Sequence, residues 1–138
     1  MNLAHLFADI NWFAVVVATA SAFALGGLWY SKVLFADSWM QEVGLNEETI
    51  NKAHMPAIFG GTFALQLLAA TALAIAIGTE GTWLSGLQIG LLVSVFWIAT
   101  AYGITYLFEQ RSIRLFLINA GYYVVLFAIM GTIIGAWR

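Results

Sequence analysis

Residues 115–137, LFLINAGYYVVLFAIMGTIIGAW, run without a single Asp, Glu, Lys, Arg or His. Coiled as an α-helix at about 1.5 Å per residue, such a segment matches the roughly 30 Å hydrocarbon layer of a bilayer. Three more stretches share the property, at 10–30, 56–78 and 84–108, and all twelve formal charges (5 basic and 7 acidic) fall outside the four. The sequence therefore predicts an all-α integral membrane four-helix bundle, a single transmembrane domain over 1–138. Its spans are 10–30, 56–78, 84–108 and 115–137, with one long connection at 31–55.

Composition excludes most other classes. The chain is 62% hydrophobic and 9% charged, against about half apolar and about a quarter charged in soluble domains. The net charge of −2 and the scattered basic residues give no stripe to follow a phosphate backbone, so no nucleic-acid partner is expected. Cysteine is absent, which removes disulfides, thiolate metal sites and thiol redox chemistry. The first eleven residues lack Lys and Arg and do not read as a cleaved signal peptide.

Orientation follows from basic residues, which are retained on the cytoplasmic side. Lys32 and Lys52 lie after span one, and Arg111 and Arg114 after span three; the opposite face has only Arg138. The count places both termini outside the cytoplasm, with dual insertion as the alternative. Trp12, Trp83 and Trp137 would mark the outer interface, and Trp29, Tyr30, Tyr106 and Phe108 the inner one. Trp97 falls inside span three, where it must pack on helix or lipid.

The connection 31–55 reads as two short interfacial helices. Asp37 or Ser38 caps the first and Gly44 ends it; Asn46 caps the second, with Glu47 and Glu48 in its first turn. Pro56 then opens span two, where a missing N–H costs nothing. A faint repeat matches Ser21, Phe23, Leu34 and Phe35 to Ser94, Phe96, Leu107 and Phe108. So restricted an alphabet produces such matches by chance.

Lipid tails supply no hydrophobic drive between helices, so association depends on small residues that let backbones approach. Each span offers one such pair: Ala22 with Gly26, Gly60 with Ala64, Gly86 with Gly90, and Gly131 with Gly135. These faces serve packing within one bundle or, at Gly131 and Gly135, contact between copies. The polar residues within the spans are neutral, Ser21, Gln66, Ser94, Thr100, Asn119 and Tyr122 foremost. Unsatisfied amides in hydrocarbon cost several kcal/mol, roughly 2–7, so interhelical hydrogen bonding is their first expected role and solute contact the second. No intramembrane carboxylate is present to carry protons. In size and span number the chain resembles the small multidrug transporters, yet it lacks their first-helix acidic residue. No catalytic residue, metal set or cofactor is expected. His5 and His54 fall on opposite faces, and no nucleophile elbow or H-E-x-x-H pattern occurs.

Gly26-Gly27-Leu28-Trp29-Tyr30-Ser31, then Leu34-Phe35 and Trp39, resemble a family of small bacterial four-span membrane proteins known only as domain of unknown function 1761. Asn11-Trp12, the Asn119-Ala120-Gly121-Tyr122 run, and Gly131, Gly135 and Trp137 extend the resemblance over nearly the whole chain. It implies the architecture and a bacterial inner membrane, with no activity or substrate. Physically, Gly26 and Gly27 permit close helix approach, Trp29 and Tyr30 hold the headgroup level, and Phe35 and Trp39 dock the next short helix.

Three functional readings follow. The first is a non-enzymatic bundle acting through packing, as a homo-oligomer or an accessory subunit, with membrane lipids around it. The second is a small channel or transporter for a neutral solute or ion, lined by Ser21, Gln66, Ser94, Thr100 and Asn119. The third is a lipid-binding protein or enzyme at the cytoplasmic interface using Asp37, Glu42 or His54.

Overall fold

A computed structural model describes residues 3–138, and every regular element among them is a helix. In chain order these are α1 (Leu3–Ala8), α2 (Trp12–Trp29), α3 (Ala36–Val43), α4 (Glu47–Asn51), α5 (Met55–Ile77), α6 (Trp83–Val93), a π-helical segment (Ser94–Ala99), α7 (Thr100–Phe108) and α8 (Ile113–Ala136). Four units, Trp12–Trp29, Met55–Ile77, Trp83–Phe108 and Ile113–Ala136, are long and apolar enough to cross a bilayer. The chain is a multi-pass membrane protein built as a helical bundle.

Each spanning unit starts at a residue that supplies an acceptor to otherwise orphaned N–H groups. Asn11 Oδ1 accepts from Ala14 N, His54 Nδ1 from Ala57 N, and Ser112 Oγ from Leu115 N. Thr82 and Ser85 form a reciprocal capping box. Pro56 stands in the first turn of α5, where the absent N–H leaves no bond unmade.

Helix α8 is the hub. Half of its most apolar window is buried inside the protein, against 6% for the third span, which lies along α8 with its remaining surface turned outward. The core joins Val15, Ala18 and Ala22 of α2, Ala70, Leu73 and Ala74 of α5, and Leu126, Phe127, Met130 and Ile134 of α8. Between α6 and α8 the packing is backbone on backbone. A Cβ built on Gly86 would lie 1.9 Å from Gly131 O, one on Gly131 2.1 Å from Gly86 O, and one on Gly135 2.2 Å from Thr82 O. Gly90 meets Phe127 O at 2.2 Å in the same test. Only glycine fits at this crossing.

Several local expectations differ from what is observed. Gly60 has nothing within 4 Å of a built Cβ and Ala64 is exposed, so the second span packs instead through Ala70 and Ala74. Gly27 likewise faces open space, leaving Gly26 alone as a close-approach site. The first short helix is capped by the Phe35 backbone without a side-chain bond, and Asp37 lies in its first turn. Gly44 (φ 75°) ends it, and Asn46 caps the second through Thr49 N at 2.8 Å. Two features have no counterpart in the sequence reading: α1, and the π-helical turn that splits the third span.

Candidate functional site

The basic end of the bundle holds the main polar feature. All five tyrosines of the chain converge there. Tyr30 follows α2, Tyr102 and Tyr106 sit one turn apart on α7, and Tyr122 and Tyr123 are adjacent on α8. Ring centroids are separated by 5.3 Å for Tyr30 and Tyr122, 5.1 Å for Tyr122 and Tyr123, 5.4 Å for Tyr123 and Tyr102, and 5.4 Å for Tyr102 and Tyr106. Asn119 closes the circuit: its Oδ1 accepts from Tyr30 Oη at 2.7 Å, and its Nδ2 donates to Tyr106 Oη at 2.7 Å. One amide thus ties the ends of the first and third spans to the fourth.

A second strand of bonds runs deeper. Gln66 Nε2 donates to Tyr122 Oη at 3.2 Å, and that hydroxyl donates to Ala22 O at 3.2 Å. Gly26 makes this possible, because a Cβ there would stand 3.1 Å from the Tyr122 oxygen. Gln66 Oε1 is buried without a partner. Trp29 turns inward and its Nε1 donates to Ile118 O at 2.9 Å, beside Gly121, whose built Cβ would be 3.3 Å from the indole. Trp29 and Tyr30 are therefore half-buried in the bundle and bonded to α8. Buried Tyr and Trp gain from such pairing because an unmet donor in an apolar setting is costly.

The connection packs onto this cluster. Phe35 lies 5.0 Å from Trp29 and Trp39 lies 5.7 Å from Tyr30, centroid to centroid. Helix α3 is further held to the start of α8 by Ser112 Oγ donating to Glu42 and Arg114 donating to Ser38 Oγ at 2.7 Å. Lys32 and Glu47 form an exposed ion pair; the hydrogen bond and charge of each push the lysine pKa up and the glutamate pKa down from their usual ranges. Asp37, Glu42 and His54 do not converge. Glu42 takes the Ser112 hydroxyl, His54 caps α5, and Asp37 is exposed. Among the described residues no group of three or more His, Cys, Asp or Glu is placed to hold a metal ion.

The residues offered as a solute path separate. Ser21 Oγ donates to Ala18 O, Ser94 Oγ to Leu91 O, and Thr100 Oγ1 to Phe96 O and Trp97 O, each within its own helix. Ser94 is fully buried while Thr100 is exposed on the outer surface. Only Gln66, Asn119 and Tyr122 meet in the cluster. The glycines Gly86, Gly90, Gly131 and Gly135 lie at the α6–α8 crossing inside one chain, so they are not available as a face between copies. Tyr102, Tyr106 and Tyr123 were not read from the sequence as members of a cluster. Their signal is the four-residue spacing of Tyr102 and Tyr106 opposite the Asn119 to Tyr123 face.

At the other end, Arg138 donates from Nε to Gly78 O and from Nη2 to Ala74 O, both at 2.6 Å, and Asn11 Nδ2 donates to Trp137 O at 2.7 Å. Ala74 O and Gly78 O already accept from Gly78 N and Gly81 N, so Arg138 adds a second bond to each, while Asn11 supplies a donor to the carbonyl that ends α8.

A family model described as protein of unknown function (DUF1761) matches residues 13–135. No curated protein and no solved structure matches the chain.

Proposed function

We propose, for a chain that belongs to the DUF1761 family of proteins of unknown function, a non-enzymatic membrane module that works by assembly, first as a homo-oligomer and otherwise as an accessory subunit. The contact is the outer face of the third span. The observation that carries this reading is Trp97. It lies near the middle of the 26-residue span Trp83–Phe108, is 67% exposed, and its indole N–H meets no acceptor among the described residues. Tryptophan ordinarily occupies the membrane interface, and lipid tails offer its N–H nothing. A facing helix does. Thr100, exposed one turn on, already donates to its own backbone and keeps lone pairs free to accept.

The π-helical turn supports the same assignment. By inserting into the third span it keeps Ser94 buried against α8 while Phe96 and Trp97 project outward. Such turns recur at functional positions. A two-fold contact through this face pairs Trp97 of one copy with Thr100 of the other. We place the assembly in a bacterial inner membrane, both termini outside the cytoplasm, in keeping with the basic residues at one end.

The chain has no cysteine, so Phe96→Cys, which keeps Trp97 and Thr100 on the same outward face, carries the sole thiol. Oxidation in native membranes should yield a cross-linked dimer, whereas the control Leu68→Cys, similarly exposed on α5, should not. A clean monomer by lipid-preserving mass measurement, with no cross-link at 96, would overturn the proposal. Flux through liposomes equal to that of empty vesicles is expected, because the residues offered as a lining do not share one path: Ser94 is buried while Thr100 is exposed on the outer surface.

A further inference from the structure

A mostly apolar cavity of about 430 Å³ lies where α7 turns into α8, within the range of small-molecule sites. Gly103, Tyr106, Leu107 and Phe116 wall it, and Arg111 belongs to its lining from the turn. We propose that this cavity binds an anionic phospholipid, its headgroup on Arg111 and the upper part of an acyl chain along Gly103, Leu107 and Phe116.

The turn sets the charged group. Arg111 N donates to Tyr106 O at 2.9 Å and Gln110 N to Leu107 O at 3.3 Å, the paired bonds of a Schellman ending. Gln110 takes the left-handed conformation this requires, at φ 54°, although it is not glycine. The ending brings Arg111 back beside Tyr106, the residue to which it is bonded. Among the described residues the guanidinium has one weak exposed ion pair, Nε to Glu109 at 3.5 Å, so its terminal nitrogens remain donors for a phosphate. The Tyr106 oxygen accepts from Asn119, and its own proton has no acceptor among the described residues. Donors without partners therefore stand beside apolar walls.

The surroundings choose the source of the anion. Ile104, Leu107, Phe108 and Ile113 next to the cavity are 60%, 80%, 87% and 71% exposed, which opens it sideways to hydrocarbon. A free phosphate would use Arg111 and leave the apolar walls wet. A phospholipid fits both, and Arg114, which lies outside the lining and is bonded to Ser38, adds positive charge near the same turn. This inference does not depend on assembly through Trp97, which lies on the earlier π-helical turn.

The test is competition in mixed micelles of equimolar phosphatidylglycerol and phosphatidylcholine, followed by exchange into lipid-free detergent and analysis of retained lipid. Both lipids offer the phosphate that Arg111 contacts, but the choline cation of phosphatidylcholine is repelled by the guanidinium, so wild-type protein should retain phosphatidylglycerol about fivefold over phosphatidylcholine. Arg111→Gln should abolish the preference and Arg111→Lys should keep most of it. Gly103→Leu, at a position whose built Cβ makes only an ordinary 3.5 Å contact with Phe116, should reduce retention of both lipids. Equal retention by the wild type overturns the proposal without recourse to any variant. So does a preference that survives both Arg111→Gln and Gly103→Leu, or displacement of the lipid by inorganic phosphate alone. Unchanged helical content in the variants separates loss of the site from loss of the fold.

Discussion

A methyl group on Gly86 or Gly131 tests what holds the third span to the hub. The Cβ of alanine at Gly86 would sit 1.9 Å from Gly131 O, whereas ordinary contact begins near 3.4 Å, so the helices must part locally by 3.4 − 1.9 = 1.5 Å. The obstacle is backbone, which no rotamer can move aside. A gap of even 0.5–1 Å forfeits about a quarter to a half of the dispersion energy of the atoms facing it. Overpacking typically costs about 1–3 kcal/mol, and a backbone obstacle places both variants near the upper end. Gly27→Ala, inside α2 and with nothing within 4 Å, should leave stability unchanged or raise it by up to about 1 kcal/mol, the helix preference of alanine over glycine. The double variant Gly86→Ala with Gly131→Ala should cost well below the sum, because one separation relieves both clashes. Reversible denaturation in mixed micelles, followed by tryptophan fluorescence, gives the four values. Equal effects at Gly27 and Gly86, or strict additivity in the double variant, would refute the packing argument. A loss that depends on protein concentration would instead return these glycines to a contact between copies.

Three further outcomes are expected. Asn119→Leu strands the Tyr30 and Tyr106 hydroxyls at once and should destabilise the bundle by about 1–3 kcal/mol, with faster amide exchange in 31–43 as α3 loosens. Gln66→Leu removes an amide whose Oε1 has no partner and leaves Tyr122 bonded to Ala22, so stability by the same denaturation should hold or rise. The Lys32–Glu47 pair should respond to pH through both members. Because Glu47 is held below the usual carboxylate range, its contribution is full above the ordinary glutamate pKa and is lost as pH falls through the lowered value. Because Lys32 is raised, its contribution is full below the ordinary lysine pKa and is lost as pH rises through the raised value. Hydrogen exchange of α4 against pH, compared with Glu47→Gln, checks both limits.

Much of the candidate site was visible as residues and invisible as a site. Asn119, Tyr122, Gln66, Trp29 and Tyr30 stand out in sequence because polar and amphipathic groups are scarce in apolar spans. Their partners do not, since Tyr102 lies 21 residues before Tyr123 and Tyr106 lies 13 before Asn119, and only the turn that brings α7 against α8 sets them side by side. The direction of each side chain around its helix also decides its role. Thr100 and Ser94 look alike in sequence, yet the π-helical turn leaves one exposed and the other fully buried.

The sequence by itself determined the four spans, the Gly44 and Asn46 ends of the short helices between the first two, and the basic end. Those features depend on the length of uncharged runs and on local hydrogen bonding, which neighbouring residues settle among themselves. Tertiary structure decided which of the small-residue faces meet. Gly86 and Gly131 close against each other while Gly60 and Gly27 face outward, although all are glycines in apolar helices. Burial in a bilayer does not distinguish one apolar face from another, because lipid is as apolar as the core. What distinguishes them is the fit of two backbones, and that exists only once the helices have been brought together.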